Sequence, residues 1–179
     1  MPSLSVLEAR TEPSGSRPLT PAELLAVARE LARDAETWRA LARHHPGERW
    51  FRRLAAHDYY DTWLIGWHSH QGVDLHDHGG SAGALYVVDG ELLETSGRRD
   101  GYGAGELLEQ RLTVGTARVF GAGHVHRVVN PSAAVATSIH VYSPPLVSMD
   151  FYEPDATSAL ARTHTEPAFG SRSGRGELR

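Results

Sequence analysis

From Tyr59 to Tyr142 the sequence runs in short β-branched and aromatic stretches, among them Thr62 to Trp67, Ala84 to Val88, Arg118 to Phe120 and Val135 to Tyr142, with glycine-rich breaks between them. Such side chains fit a pleated, half-buried surface, and runs at this spacing predict strands that close into an all-β barrel or sandwich. Asp89-Gly90, Ser96-Gly97 and Asp100-Gly101 read as hairpin turns, because glycine provides the positive φ that tight hairpins require. Ahead of the strands, Thr20-Pro21-Ala22-Glu23 combines a capping box with Pro at the first helical position. Leu24, Val27, Leu31, Trp38 and Leu41 follow at helical spacing, and the pattern stops near His44-His45-Pro46-Gly47. Both ends of the chain mix Ser, Pro, Gly and charge without periodicity. The expected organisation is a flexible N-terminus over residues 1–19 and one domain over 20–153, with a helical segment at 20–46 and a barrel at 50–153. A flexible tail is expected over 154–179.

Composition removes several kinds of chemistry. The chain of 179 residues contains no cysteine, so disulfides, thiolate metal sites and cysteine nucleophiles are excluded, and any metal must sit on His, Asp or Glu. All 18 basic residues are Arg, which excludes a Schiff-base lysine and a phosphate-loop lysine. A formal charge of -4 with dispersed arginines gives no basic field for nucleic acid. No apolar run approaches the roughly 20 residues that span a bilayer, and no leader pattern opens the chain. A cytoplasmic monomer with neither nucleic-acid nor membrane partners is the expectation.

His76-Asp77-His78 follows a glycine-containing loop. On a strand, residues i and i+2 share a face, roughly 6 to 7 Å apart, so two imidazoles can converge on one ion. A lone His-x-His is also a common surface pattern, and the wider spacing carries more weight. Gly72-x3-His76-x-His78-x4-Gly83-x6-Gly90 and Gly115-x5-Gly121-x-Gly123-x2-His126-x3-Asn130 resemble the two signature motifs of the cupin superfamily. That resemblance implies a double-stranded β-helix, a jelly-roll barrel, with a short N-terminal helical segment. It also implies a metal held by His76, His78 and His126. Gly121 stands where the superfamily usually has Pro, and Gly83 where most metal cupins carry a Glu ligand. Three neutral imidazoles leave the charge of a divalent ion uncompensated, which favours anionic ligands such as a thiolate. Spacing alone does not choose between His124 and His126, which share a strand face; the motif favours His126. His68 and His70 read as loop residues, and His44, His45 and His57 as surface residues of the helical part.

Ser138-Ile139-His140-Val141-Tyr142-Ser143-Pro144-Pro145 is similar to a strand of the cysteine dioxygenases, and the likeness extends over roughly residues 50 to 150. It implies that His76, His78 and His126 hold Fe(II), with Ser138, His140 and Tyr142 as a hydrogen-bonded relay beside it. Alternation along a strand independently puts those three side chains on one face. Mammalian members of the family link a cysteine near the position of Gly83 to the tyrosine matching Tyr142; without cysteine that crosslink cannot form here. Members that prefer cysteine place an Arg just before the first barrel strand, where those preferring 3-mercaptopropionate have Gln. Arg52 is the expected carboxylate-binding residue, with Arg53 as the alternative. The implied activity is oxidation of L-cysteine by O₂ to cysteine sulfinate. Alternatives are a dioxygenase of 3-mercaptopropionate or another small thiol, a non-catalytic cupin that binds metal or a metabolite, and a zinc hydrolase.

Overall fold

The computed structural model describes residues 17–98, 107–154 and 159–168. Its first element, Pro21–Arg33 (α1), begins as its cap requires: the Thr20 hydroxyl accepts from the Glu23 N–H while the Glu23 carboxylate accepts from the Thr20 N–H. Leu24, Val27, Ala28 and Leu31 recur on one buried face of this helix, and Ala35–Leu41 (α2) adds Trp38 to the same apolar cluster. The strands follow as Trp50–Ala56 (β1), Asp61–Trp67 (β2), Gly72–His76 (β3), Ala82–Asp89 (β4), Glu91–Arg98 (β5), Leu108–Thr113 (β6), Ala117–Phe120 (β7), His124–Val129 (β8), Ala136–Ser143 (β9), Ser148–Pro154 (β10) and Leu160–Pro167 (β11).

They form a five-stranded sheet, β1-β2-β9-β4-β7, and a six-stranded sheet, β11-β10-β3-β8-β5-β6, paired antiparallel throughout. Period 2 sorts the central strand β9: Ile139 and Val141 face α1 in one cluster, while Ala136 and Tyr142 face the space between the sheets. Trp63, Ile65 and Trp67 of β2 share that inner space with Leu92, Leu112 and Val128 of the six-stranded sheet. The result is the double-stranded β-helix expected from the sequence, with a helical segment covering one outer face.

Three local expectations are corrected. Ser96-Gly97 is no turn, since both residues lie within β5 opposite His126 and Val125. Asp89-Gly90 does turn, with Gly90 at φ +69°, whereas Asp100-Gly101 lies outside the described residues. The tail expected to be flexible contains β11, which pairs with β10 from Ser148↔Pro167 to Pro154↔Leu160. Its side chains are nearly all exposed, so hydrogen bonding to β10, rather than an apolar pattern, holds it. At the other end, Leu19 is buried and its N–H donates to Ser143 Oγ at 2.9 Å, which ties down a residue expected to be loose.

Candidate metal centre

Sheet register builds the site. His76, the last residue of β3, is the direct cross-strand partner of His126 on β8, so the two imidazoles meet although 50 residues of sequence separate them. His78 lies just past the end of β3, in a turn secured by Asp77. That carboxylate is fully buried and accepts from the Tyr152 hydroxyl at 2.9 Å and from the Gly79 and Asp150 N–H groups at 3.0 and 3.2 Å. One nitrogen each from His76, His78 and His126 lies within 4.8 Å of the others, and all three residues are buried.

Their outer nitrogens decide what remains for an ion. His76 Nδ1 sits 2.8 Å from the Asp74 carbonyl and His126 Nδ1 2.8 Å from a Glu94 carboxylate oxygen. Both partners can only accept, so each Nδ1 carries the proton and each Nε2 keeps a lone pair. Neither nitrogen of His78 has a partner among the described residues, although its ring is fully enclosed and stacked on Phe120 at 4.6 Å. An enclosed polar atom without a partner costs about 1 to 3 kcal/mol, and a metal would satisfy this one. Burial holds all three imidazoles below the usual histidine range, so they are neutral ligands. The donor set therefore fits a divalent ion.

His124 shares the strand face of His126, as its spacing predicts, but it turns to Glu94, with Nε2 3.2 Å from the carboxylate, and stacks on Phe120. His68 and His70 lie in a turn, as expected, and His70 adopts φ +59°. His44 is half-buried rather than a surface group, its Nε2 within 3.1 Å of the Ala136 carbonyl and 3.0 Å of Thr137 Oγ1.

Opposite the imidazoles, β9 presents Ser138, His140 and Tyr142 as one chain of hydrogen bonds. The Trp67 indole donates to Ser138 Oγ at 2.8 Å, Ser138 Oγ lies 2.8 Å from His140 Nε2, and His140 Nδ1 lies 3.0 Å from the Tyr142 hydroxyl. Because Trp67 can only donate, the serine hydrogen turns to His140 Nε2. His140 Nδ1–H then donates to the tyrosine oxygen, directing the phenol hydrogen away from the imidazole. Burial pushes His140 down to about 3 and Tyr142 well above the usual phenol range, so both are neutral at physiological pH.

Arg52 does not reach this site. Its partner across to β2 is Leu64, which faces the helices, and its side chain is exposed. Arg53 pairs with Trp63 and lies over that indole at 5.4 Å, also exposed. Alternation along β1 puts Phe51 on the inner side, and the residue one step outside the strand on that same side is Arg49. Its guanidinium lies 5.2 Å from the Trp67 ring centre and lines the cavity with His76, His126, His140 and Tyr142. Arg49 Nε is enclosed and has no hydrogen-bond partner among the described residues. Burial pushes the group down to about 10, so it remains charged at neutral pH. Ile65, Val73, Val128 and Met149 complete the walls of a cavity with about 300 Å³ of atom-free space, its open mouth included.

Sequence reasoning missed Glu94 and Arg49. The first stands in an unremarkable Glu-Leu-Leu-Glu run. The second was legible only in the alternation Arg49, Phe51, Arg53, once β1 is recognised as a strand.

A protein of Thermus thermophilus has a similar crystal structure at 26% identity, with a TM-score of 0.52 over 60% of this chain and 93% of that one. A cupin superfamily protein of Desulfitobacterium hafniense is similar at 12% identity, with a TM-score of 0.48 over 58% of this chain and 84% of that one. So is a Klebsiella pneumoniae protein with a double-stranded β-helix domain, at 18% identity and a TM-score of 0.49 over 60% of this chain and 81% of that one. The sequence model of the family described as cysteine dioxygenase type I matches residues 19–155, the helices and barrel strands that carry every group of the site. The chain belongs to the cysteine dioxygenase type I family.

Proposed function

We propose that the protein is an Fe(II)-dependent thiol dioxygenase that oxidises L-cysteine to cysteine sulfinate. The observation that carries this reading is the shared cavity: half-buried Arg49, whose Nε is enclosed without a partner among the described residues, lines it together with His76 and His126 of the three-imidazole cluster and with the buried phenol of Tyr142. Iron, held by His76, His78 and His126, would provide the redox chemistry that joins thiolate and O₂. In the overall reaction a thiol and one O₂ give a sulfinate and a proton, with both oxygen atoms ending on sulfur.

The chain's own groups do the rest. Arg49 grips the substrate carboxylate through parallel N–H bonds, and its stacking on Trp67 fixes the plane of that fork. Tyr142, oriented by the Trp67-Ser138-His140 chain, offers a hydroxyl to anionic atoms in the cavity without ionising. The apolar side chains of Ile65, Val73, Val128 and Met149 lower the polarity around both contacts, which strengthens them.

The test is anaerobic loading with Fe(II), then O₂ uptake and sulfinate detection with L-cysteine and, separately, with 3-mercaptopropionate. Sulfinate from cysteine at the higher kcat/KM is the expected result. Preference for 3-mercaptopropionate would remove the cysteine assignment. Metal binding without thiol-dependent O₂ uptake would point to a binding protein or a hydrolytic zinc site instead.

A further inference from the structure

We infer that Glu94 is a positioning residue of the metal centre, which delivers through the His126 ring the negative charge that no carboxylate ligand delivers directly. This inference rests on the three-histidine reading above.

The geometry leaves no room for the charge where metal cupins usually carry it. A Cβ at Gly83 would lie 2.6 Å from two Phe120 ring carbons and 3.0 Å from the Val141 carbonyl oxygen, so a side chain there must displace the ring that stacks on His78. A carboxylate lies one hydrogen bond further out instead. Glu94, on β5 beside β8, is completely buried. Its Oε1 accepts from His126 Nδ1 at 2.8 Å and His124 Nε2 at 3.2 Å, and its Oε2 from Arg118 Nε at 2.6 Å. Three N–H donors keep this carboxylate ionised.

Two effects on His126 follow. The proton is confined to Nδ1, so the lone pair on Nε2 faces His76 and His78; and the adjacent negative charge raises the basicity of that nitrogen. His124, stacked on Phe120, and Arg118 hold the carboxylate in line. The Arg118 side chain is 32% exposed and that of Glu94 0%, so water screens the cation more than the anion. The face turned to the metal site therefore stays net negative.

The test is titration of metal-free protein with Co(II) against a competing chelator, for the unmutated chain, Glu94→Gln and Arg118→Gln. Glutamine keeps the shape and an acceptor oxygen but loses the charge. Glu94→Gln is expected to bind about 10- to 100-fold more weakly, and Arg118→Gln no more weakly than the unmutated protein, because it leaves the Glu94 charge less compensated. Equal losses in both variants would make the cluster a scaffold and overturn the inference, as would a Glu94→Gln affinity within about threefold of the original. Independently of any variant's folding, long-range ¹H–¹⁵N spectra of the metal-free unmutated protein should show His126 as the Nδ1–H tautomer; an Nε2–H tautomer overturns it. The unmutated titration separates the two readings: no binding there strikes both, whereas binding there with an unaffected Glu94→Gln strikes only this one.

Discussion

The two sheets face each other across one cavity and contribute opposite chemistry. The six-stranded sheet brings His76 and His126 on paired strands, with Glu94 behind them and Tyr152 bracing the His78 turn through Asp77. These groups aim lone pairs inward. The five-stranded sheet brings Trp67, Ser138, His140 and Tyr142, with Arg49 at the edge of β1, and those groups form a directed chain of N–H and O–H donors beside a fixed positive charge. On the function proposed, one sheet holds a cation and the other holds and orients an anion. Metal binding and substrate binding should therefore fail separately when the sheets are mutated separately.

The hardest test of that division is His126→Ala, which removes a ligand and leaves Glu94 buried without one of its donors. Metal content should fall to background and thiol-dependent O₂ uptake by at least about 1,000-fold, as read by elemental analysis and an oxygen electrode. A variant that retains its metal would break the assignment of the six-stranded sheet. On the opposite sheet, Arg49→Gln should raise the KM for cysteine roughly 10- to 100-fold, matching the worth of charge-assisted hydrogen bonds, at unchanged metal content. Arg52→Gln in the same assay should leave KM within about twofold, since surface changes have small effects; the reverse order would move the carboxylate site to the outer face. Tyr142→Phe should lower kcat about 10-fold or more, as loss of an aimed donor does, while metal affinity holds.

The smallest effect concerns Asp61, a buried residue beside Tyr142 in the sheet register. Burial raises its carboxyl to about 6, against hydrogen bonds from Trp63 and the Leu146 N–H and the charge of Arg53. The folded state then binds this proton more tightly than the unfolded chain. Its contribution favours folding below the unfolded value near 3.8 and is lost as pH rises through about 6. Asp61→Asn should remove that slope and gain about 1 kcal/mol at pH 7, because the lost attraction to Arg53 offsets part of the relief. Urea unfolding at pH 4.5 and 7 would show it. A steeper slope in the variant would contradict the assignment.

Legibility in the sequence followed the range of the forces involved. The cap at Thr20, the apolar face of α1 and the inward set Ser138, His140 and Tyr142 are consequences of local periodicity, and each is found where its spacing put it. Arg52 failed because three arginines crowd residues 49 to 53, and the phase of a strand is visible only when its neighbour is known. Pairing with β2 sets that phase: Arg52 lies opposite Leu64, and Arg49 remains on the side of Phe51. Ser96-Gly97 and β11 were misread for a related reason, since glycine and polar residues will extend a strand when a partner's backbone satisfies them.

The histidine set able to hold an ion came from the likeness to the cupin motifs; residue order alone determined the strand-rich barrel or sandwich and the side chains that share a face of β9. Those properties depend on alternation and on side-chain chemistry, which each short stretch carries within itself. Tertiary structure alone decided that His76 and His126 meet, that His124 turns to a carboxylate from another strand, and that Arg49 lines the cavity. Each depends on the register between strands far apart in sequence, and register is set by how whole faces bury against one another.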